Sequence, residues 1–412
     1  MKTLFGNAVV GQSGGPTAAI NATLAGVIKG VFEAQERGKI GKLYGARNGM
    51  EGLLEERFID LDEAFADRAR LNTLINTPSS ALGSCRKKLP DPEKDPATYA
   101  EILRIFEKYD IRYFFYIGGN DSMDTVAKLH AYFKEHSYEI RIIGVPKTID
   151  NDLVVTDHTP GFGSAAKYIA TTIQEILRDC AVYTVRAVTI VEIMGRDAGW
   201  LTTAAALPGY TSGIGPDYIY LPERAFDMDA FLADVRAAFE RHPNIVIAVS
   251  EGLRTREGKY VGEGTQSGAT DIFGHRYLAG TAKVLEAAVK AEFGCKVRSI
   301  ELNLPQRCAS HLASKCDLDE SVAVGRHAAL AAVAGESGCM ATILRDETNG
   351  YTATYGTSPV SAIANQVKDV PDAYINEAGN GVTEACINYL RPLIMGEVSP
   401  EYKDGLPVHC IL

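Results

Sequence analysis

Apolar runs of strand length alternate with helix-length amphipathic stretches through most of this chain. Asn7-Ala8-Val9-Val10 precedes a helical pattern over Ala18 to Ala34, and Arg112 to Ile117 precedes another over Met123 to Lys134. Ile140 to Val145, Val188 to Ile193 and Asn244 to Ser250 share the continuous apolar character. Strands that are apolar at successive positions are buried on both faces, so the alternation predicts an α/β fold of parallel sheets with helices on both faces. A later block predicts a helix around Val322 to Ala334, with strands around Met340 to Leu344 and Tyr351 to Tyr355. Lys87 to Pro96 reads as a charged loop, and Arg254 to Asp271, rich in glycine, glutamate and threonine, as a flap or surface insertion. From Val370 onward the pattern offers no placement.

With 412 residues and 46% apolar content, the chain can bury a large core but exceeds one ordinary compact unit, so two domains are expected. The formal net charge of −10 opposes nonspecific binding to nucleic acid or to an anionic membrane, both of which need a positive field. Any phosphate site must therefore be a local basic pocket. Eight cysteines include no Cys-x-x-Cys pair, so reduced thiols are expected rather than a zinc site or disulfide framework. No stretch approaches the roughly 20 apolar residues of a membrane span, and the start lacks a long apolar leader, so a cytoplasmic location is expected.

Chemistry concentrates where predicted strands end. Gly11-Gln12-Ser13-Gly14-Gly15-Pro16-Thr17 follows the first strand, where its amides could cradle a phosphate at a helix start, although every βα unit needs a tight turn. Gly118-Gly119-Asn120-Asp121-Ser122 is a second such turn, and Asp121 there is either a functional carboxylate or a helix cap. Pro146-Lys147-Thr148-Ile149-Asp150-Asn151-Asp152 packs two carboxylates, an amine and a hydroxyl into seven residues, beyond the end of a probable parallel strand. Phosphoryl transfer to an alcohol needs a carboxylate to take the hydroxyl proton and cations to neutralise the moving group, and Asp150, Asp152 and Lys147 can supply both. Met194-Gly195-Arg196 and Ser250-Glu251-Gly252 add an arginine and a carboxylate at further strand ends. Arg298 and Arg307 flank Ser299 to Leu304 and are expected at the two ends of one short strand. His275 follows the flap and reads as structural.

In order along the chain, Ser13-Gly14-Gly15, Leu82-Gly83-Ser84-Cys85-Arg86, Gly118 to Ser122, Pro146 to Asp152, Met194-Gly195-Arg196, Glu251 and Pro305-Gln306-Arg307 resemble the phosphofructokinase family, over residues 5 to 345. The resemblance implies a two-domain α/β fold, discontinuous in sequence. Residues 1 to 155 with about 305 to 345 would bind the phosphoryl donor, and about 156 to 304 fructose 6-phosphate, leaving 346 to 412 as an extension of uncertain placement. Asp150 would be the base for the sugar's 1-hydroxyl, with Thr148 and Asp152 beside it, and Arg196 would stabilise the transferring group. Met194, Gly195, Glu251 and Arg307 would bind the sugar phosphate, and Arg298 matches the arginine that a neighbouring subunit contributes. Gly14, Gly15, Arg86, Gly118, Gly119 and Ser122 would line the donor site. Homodimers or homotetramers with shared active sites are implied, and Mg2+ as cofactor.

Within the family the chain resembles the pyrophosphate-dependent 6-phosphofructokinases. ATP-using members carry glycine at the place of Lys147 and at the place of Asp121, where an anion would meet the nucleotide's α-phosphate. Both changes imply pyrophosphate as donor and a reversible reaction. An ATP-dependent enzyme and a non-catalytic regulatory subunit remain as alternatives, as does a longer ketose phosphate acceptor such as sedoheptulose 7-phosphate. Three departures stand out. Asn120 replaces the usual metal-holding aspartate, which leaves Asp121, waters and the pyrophosphate to hold magnesium. Leu304 replaces a histidine that contacts the 6-phosphate. The arginine usually lent by a partner near Met194 is displaced by one position to Arg186, and in a strand one residue flips the face.

Overall fold

The computed structural model describes residues 4–263 and 280–412. Eleven strands among these residues build two sheets: β1 (Asn7–Gln12), β2 (Leu43–Ala46), β3 (Phe58–Asp60), β4 (Ile111–Gly118), β5 (Arg141–Pro146), β6 (Ala187–Ile193), β7 (Tyr218–Tyr220), β8 (Asn244–Ser250), β9 (Lys296–Glu301), β10 (Cys339–Asp346) and β11 (Thr352–Pro359). The larger sheet has the order β11-β10-β5-β4-β1-β2-β3, and the smaller β7-β8-β6-β9. Every pairing in the smaller sheet is parallel. The larger sheet is parallel from β10 to β2 and antiparallel at both edges. Burial explains the difference: β4 is buried along nearly its whole length, as a doubly covered strand must be, while edge strand β11 is half exposed.

The predicted helices occur at Ile20–Glu36 and Asn120–Glu135. The later one starts earlier than expected, at Lys315, because Ser314 caps it by accepting a hydrogen bond from the Asp317 N–H. That helix, Lys315–Ala334, crosses Ile20–Glu36 so closely that a Cβ on Gly26 would lie 2.1 Å from the Val322 carbonyl oxygen. Tight crossings of this kind admit only glycine at the contact.

Register aligns the carboxyl ends that matter. Gln12 pairs with Ile117 and Gly118 with Pro146, so the turns after β1, β4 and β5 emerge at one edge. Ile193 pairs with Ser250 and Glu192 with Glu301, which does the same in the smaller sheet. β1 lies between β2 and β4, a topological switch point, where open α/β sheets leave a crevice.

Arg307 departs from expectation. Asn303 adopts a left-handed conformation (φ 47) and Pro305 opens the short helix Pro305–Cys308, so β9 ends at Glu301 and Arg307 sits on that helix, not at a strand end. The stretch beyond 346 becomes β11, then a segment anchored by buried Ile363 and Val370, then the helix Glu384–Leu390. Of the expected flap, Arg254 bridges Tyr260 in a tight bend, while residues 264–271 and His275 lie outside the described residues. All eight cysteines are free thiols. No described helix is long and apolar enough to cross a membrane.

Candidate active site

The turn after β1 is held by its neighbours rather than by a helix. Ser13 N–H donates to the Ile117 carbonyl (2.9 Å) and Gly14 N–H to that of Cys85 (3.0 Å), while the Ser84 hydroxyl donates to the Gly14 carbonyl (2.6 Å). The next helix begins only at Ile20. The turn thus stands ahead of the helix start rather than on it, and the Ser13 and Gly14 amides are already bonded within the protein. Side-chain cations take their place. Lys147 Nζ donates to the Gly15 carbonyl at 2.6 Å, and a Cβ on Gly14, whose φ is 77, would stand 3.2 Å from that ammonium. A Cβ on Gly15 would stand 3.4 Å from an Arg307 terminal nitrogen.

The turn after β4 does enter a helix directly, with Gly119 at the cap position and Asn120 first in the helix. Gly118 stays beneath the surface, where a Cβ would collide with the Ser122 hydroxyl at 2.0 Å, and its carbonyl accepts from the Lys147 N–H. Asp121 is not the cap. Its carboxylate pairs with Lys88 at 3.1 Å, both side chains being nearly half exposed. Asn120 spends its amide on the chain's C-terminal stretch: it donates to the Gln366 carbonyl and accepts from the Asn365 N–H (2.8 Å).

Beyond β5, Asp150 N–H donates to the Thr148 hydroxyl (3.1 Å), which lies 3.4 Å from the Asp150 carboxylate. Asn151 turns through a left-handed conformation (φ 55) and donates to the Tyr389 hydroxyl at 2.9 Å. Burial dominates the titration of this loop. It pushes Asp150 up, although Lys147 and Arg196 pull it back, and it pushes Asp152 up to about 7, helped by the charge of Asp150. Burial also pulls Lys147 down to about 8 against the pull of both aspartates, and Arg307 and Arg86 press it further.

At the smaller sheet, Gly195 (φ 139) donates its N–H to Glu251 at 3.3 Å, and burial pushes Glu251 up to about 8. Met194 N–H donates to the Gln306 side chain at 3.1 Å. Arg196 holds its Nε buried with no hydrogen bond, an orphan donor beside the cleft. Leaving such a group unpaired costs about 1–3 kcal/mol.

These parts line one cleft of about 850 Å3. It gathers Gly14, Gly15, Arg86, Gly119, Asp121, Ser122, Lys147, Thr148, Asp150, Asp152, Met194, Arg196, Glu251 and Arg307 from the sequence reading. Gly118 and Gly195 are absent from its wall and act through backbone geometry. Arg298 is exposed on β9 and lines a separate depression with Asp179 and Tyr183. Arg186 lies over the Phe239 ring at 5.1 Å. Sequence reasoning missed Lys88, Asn365 and Val367 in the cleft wall, and the role of Gln306. Only Lys88 had a signal, being a cation two residues after Arg86.

A model of the phosphofructokinase family matches residues 7–314. The pyrophosphate–fructose 6-phosphate 1-phosphotransferase of Xanthomonas campestris pv. campestris is 45% identical over 410 residues, covering 99% of this chain and 96% of that protein. Its counterpart from Halomonas elongata is 42% identical, covering 97% and 94%. The crystal structure of a pyrophosphate-dependent phosphofructokinase from Nitrosospira multiformis superposes with a TM-score of 0.89 at 39% identity, covering 99% of this chain and 96% of that one. The chain belongs to the phosphofructokinase family.

Its members transfer phosphoryl groups, usually with a divalent metal. Among the described residues no three histidine, cysteine or acidic side chains converge as a metal cage, and the Asn120 amide is spent elsewhere. Asp121, after β4, is an acid of the cleft wall that is nearly half exposed and paired with Lys88. Magnesium typically takes one or two carboxylates and completes its shell with water and phosphate, so this donor set fits a metal that arrives with its phosphate ligand.

Proposed function

We propose that the protein moves a phosphoryl group from pyrophosphate to the 1-hydroxyl of D-fructose 6-phosphate, giving fructose 1,6-bisphosphate and phosphate, reversibly. The observation that carries this reading is the convergence of Lys147 and Arg307 on the Gly14-Gly15 turn, in one cleft with Asp150 and the unpaired Arg196. Asp150 accepts the hydroxyl proton as the sugar oxygen attacks phosphorus and the bond to the departing phosphate breaks. Its raised pKa makes it a better base than an exposed carboxylate. Lys147 and Arg196 neutralise the moving phosphoryl, Thr148 and Asp152 flank the base, and Met194, Gly195, Glu251 and Arg307 hold the sugar phosphate. Gly14, Gly15, Arg86, Gly118, Gly119 and Ser122 shape the donor site. Mg2+, bound with pyrophosphate and near Asp121, supplies further charge neutralisation.

The side chain of Asp121 narrows the place where a nucleotide's α-phosphate would lie. Its charge is partly offset by Lys88, so bulk contributes along with repulsion. Residues 1–155 with about 305–345 form the donor lobe in this reading, and about 156–304 the acceptor lobe. Arg298, exposed and away from its own cleft, serves the sugar 6-phosphate of a neighbouring subunit in a homodimer or homotetramer. Initial rates with fructose 6-phosphate and magnesium, comparing pyrophosphate with ATP, test the proposal. Turnover with pyrophosphate alone is expected. Turnover with ATP alone would mean that Lys147 and Asp121 do not select the donor, and silence with both would reject the acceptor.

A further inference from the structure

Residues 363–370 run from one lobe to the other past the catalytic loop. Ile363 is buried against the core beside β4, and Val370 in the core around Trp200. Between these anchors the segment bonds to three parts of the site. Asn120, at the donor turn, grips it twice, through the Asn365 N–H and the Gln366 carbonyl. At the catalytic loop, Lys368 N–H donates to the Asp152 carbonyl (2.8 Å), and Lys368 Nζ donates to Asn151 (3.3 Å) and to the carbonyls of Thr156 (3.2 Å) and Asp157 (2.8 Å). In the acceptor lobe, Trp200 Nε1 donates to the Lys368 carbonyl (2.7 Å), and Val370 N–H donates to Glu223, which also accepts from Gly199 (2.8 Å). Asn365 and Val367 themselves line the cleft.

We propose that residues 365–370 are a strap that sets the catalytic loop relative to the donor turn, with Asn120 and Lys368 as its positioning residues. The inference rests on the phosphoryl-transfer reading. It also gives Asn120 a physical reason: an aspartate there could accept from Asn365 but could not donate to Gln366, and would turn a carboxylate toward that carbonyl. Lys368 is a lysine held at the cost of burial, which lowers its pKa to about 8. Its ammonium donates to backbone carbonyls and to the Asn151 side chain, as a fastening does, while its charge reaches Asp152 in the cleft wall without a hydrogen bond to that carboxylate being part of the grip.

Asn120→Asp in the full chain separates this role from metal binding, because the two predict opposite signs. A metal ligand would be improved by aspartate. A strap holder would be broken, and kcat with pyrophosphate should fall about tenfold or more, since displacements near 1 Å can cost about 10²-fold. KM for fructose 6-phosphate should stay within about twofold. Trp200 is the chain's one tryptophan, so its emission reports on the strap, and it should shift without any substrate. Lys368→Met should give the same pair of changes, and partly exposed Asn120 keeps the test open if the lysine variant fails to fold. Emission unchanged, or emission shifted with kcat at or above that of the parent, overturns the proposal. Since the emission arm needs no donor, it stands even if pyrophosphate proves to be the wrong one.

Discussion

Lys147→Met should make the protein slower and more stable together. Lys147 is 4% exposed, and burial lowers its pKa from 10.5 to about 8, a shift worth about 3 kcal/mol against the folded state wherever the lysine is charged in both states. Methionine removes that cost but also removes the bond to the Gly15 carbonyl, worth about 1.5–3 kcal/mol as a charged hydrogen bond, part of which water in the cleft restores. A net gain of about 1 kcal/mol at pH 7 is expected. In the transition state the same charge, about 4 Å from the moving phosphoryl in an effective dielectric near 20, contributes about 4 kcal/mol, or roughly 10³ in rate. Sharing with Arg196 lowers the expected loss of kcat to about 10²–10³. The assay pairs initial rates in both directions with thermal unfolding across pH. The folded pKa lies below the unfolded one, so the parent gains stability as pH rises from about 8 to 10.5, and the variant's advantage should fade over that window. A variant less stable at pH 7, or a rise in the pyrophosphate KM at unchanged kcat, would refute the reasoning.

Three further outcomes rest on the same geometry. Burial raises Asp150, the proposed base, above the usual carboxylate range, so kcat/KM should already fall with acidity at a pH where an ordinary carboxylate, titrating near about 4, stays ionised, because the base then carries its proton; a rate flat down to pH 5 would remove this raised carboxyl from the mechanism. Asp152, pushed up to about 7, binds its proton more tightly folded than unfolded, so its contribution to stability should run the other way, shrinking as pH rises from about 4 to about 7. Gly14→Ala places a Cβ on a backbone with φ 77 and 3.2 Å from Lys147 Nζ, so it should cost about 1–2 kcal/mol in unfolding experiments and raise KM for pyrophosphate; a silent variant would mean the turn can relax away from the lysine.

The strand ends were legible because two local signals coincide there: a continuous apolar run, and a polar or charged side chain beside a glycine or proline. That is why the turns after β1, β4, β5, β6 and β8 could be placed with their chemistry. What one turn's hydrogen bonds do was not legible. Pro16-Thr17 delays the helix to Ile20, and partners from β4 and the Cys85 loop, distant in sequence, take the amides of Ser13 and Gly14. Arg307 was misplaced because the apolar alternation continues through Leu302 and Leu304, while the strand is ended by the left-handed Asn303. Residues 365–370 carry neither periodicity nor a motif, and their partners lie more than 140 residues away, so no window of sequence holds the information.

The site is assembled against its own stability. In a chain of net charge −10, Lys147 and Arg307 are gathered with Arg86: burial, then the charges of Arg307 and Arg86, pull Lys147 down, and burial, then Arg86, pulls Arg307 down. Arg196 adds a buried donor with no partner. A free protein could relieve all of this by letting the cations swing into water, and the scaffold prevents it: Lys147 is fixed by Gly15, and the loop that carries it by Tyr389 and Lys368. Strain held in the preformed site is interaction that need not be organised when a polyanion arrives, which is how a preformed electrostatic site gains on water. The aspartates show the complementary half. Their raised pKa values register a shortage of solvation that the cations only partly correct, which leaves Asp150 avid for a proton at the place where the proposed acceptor gives one up.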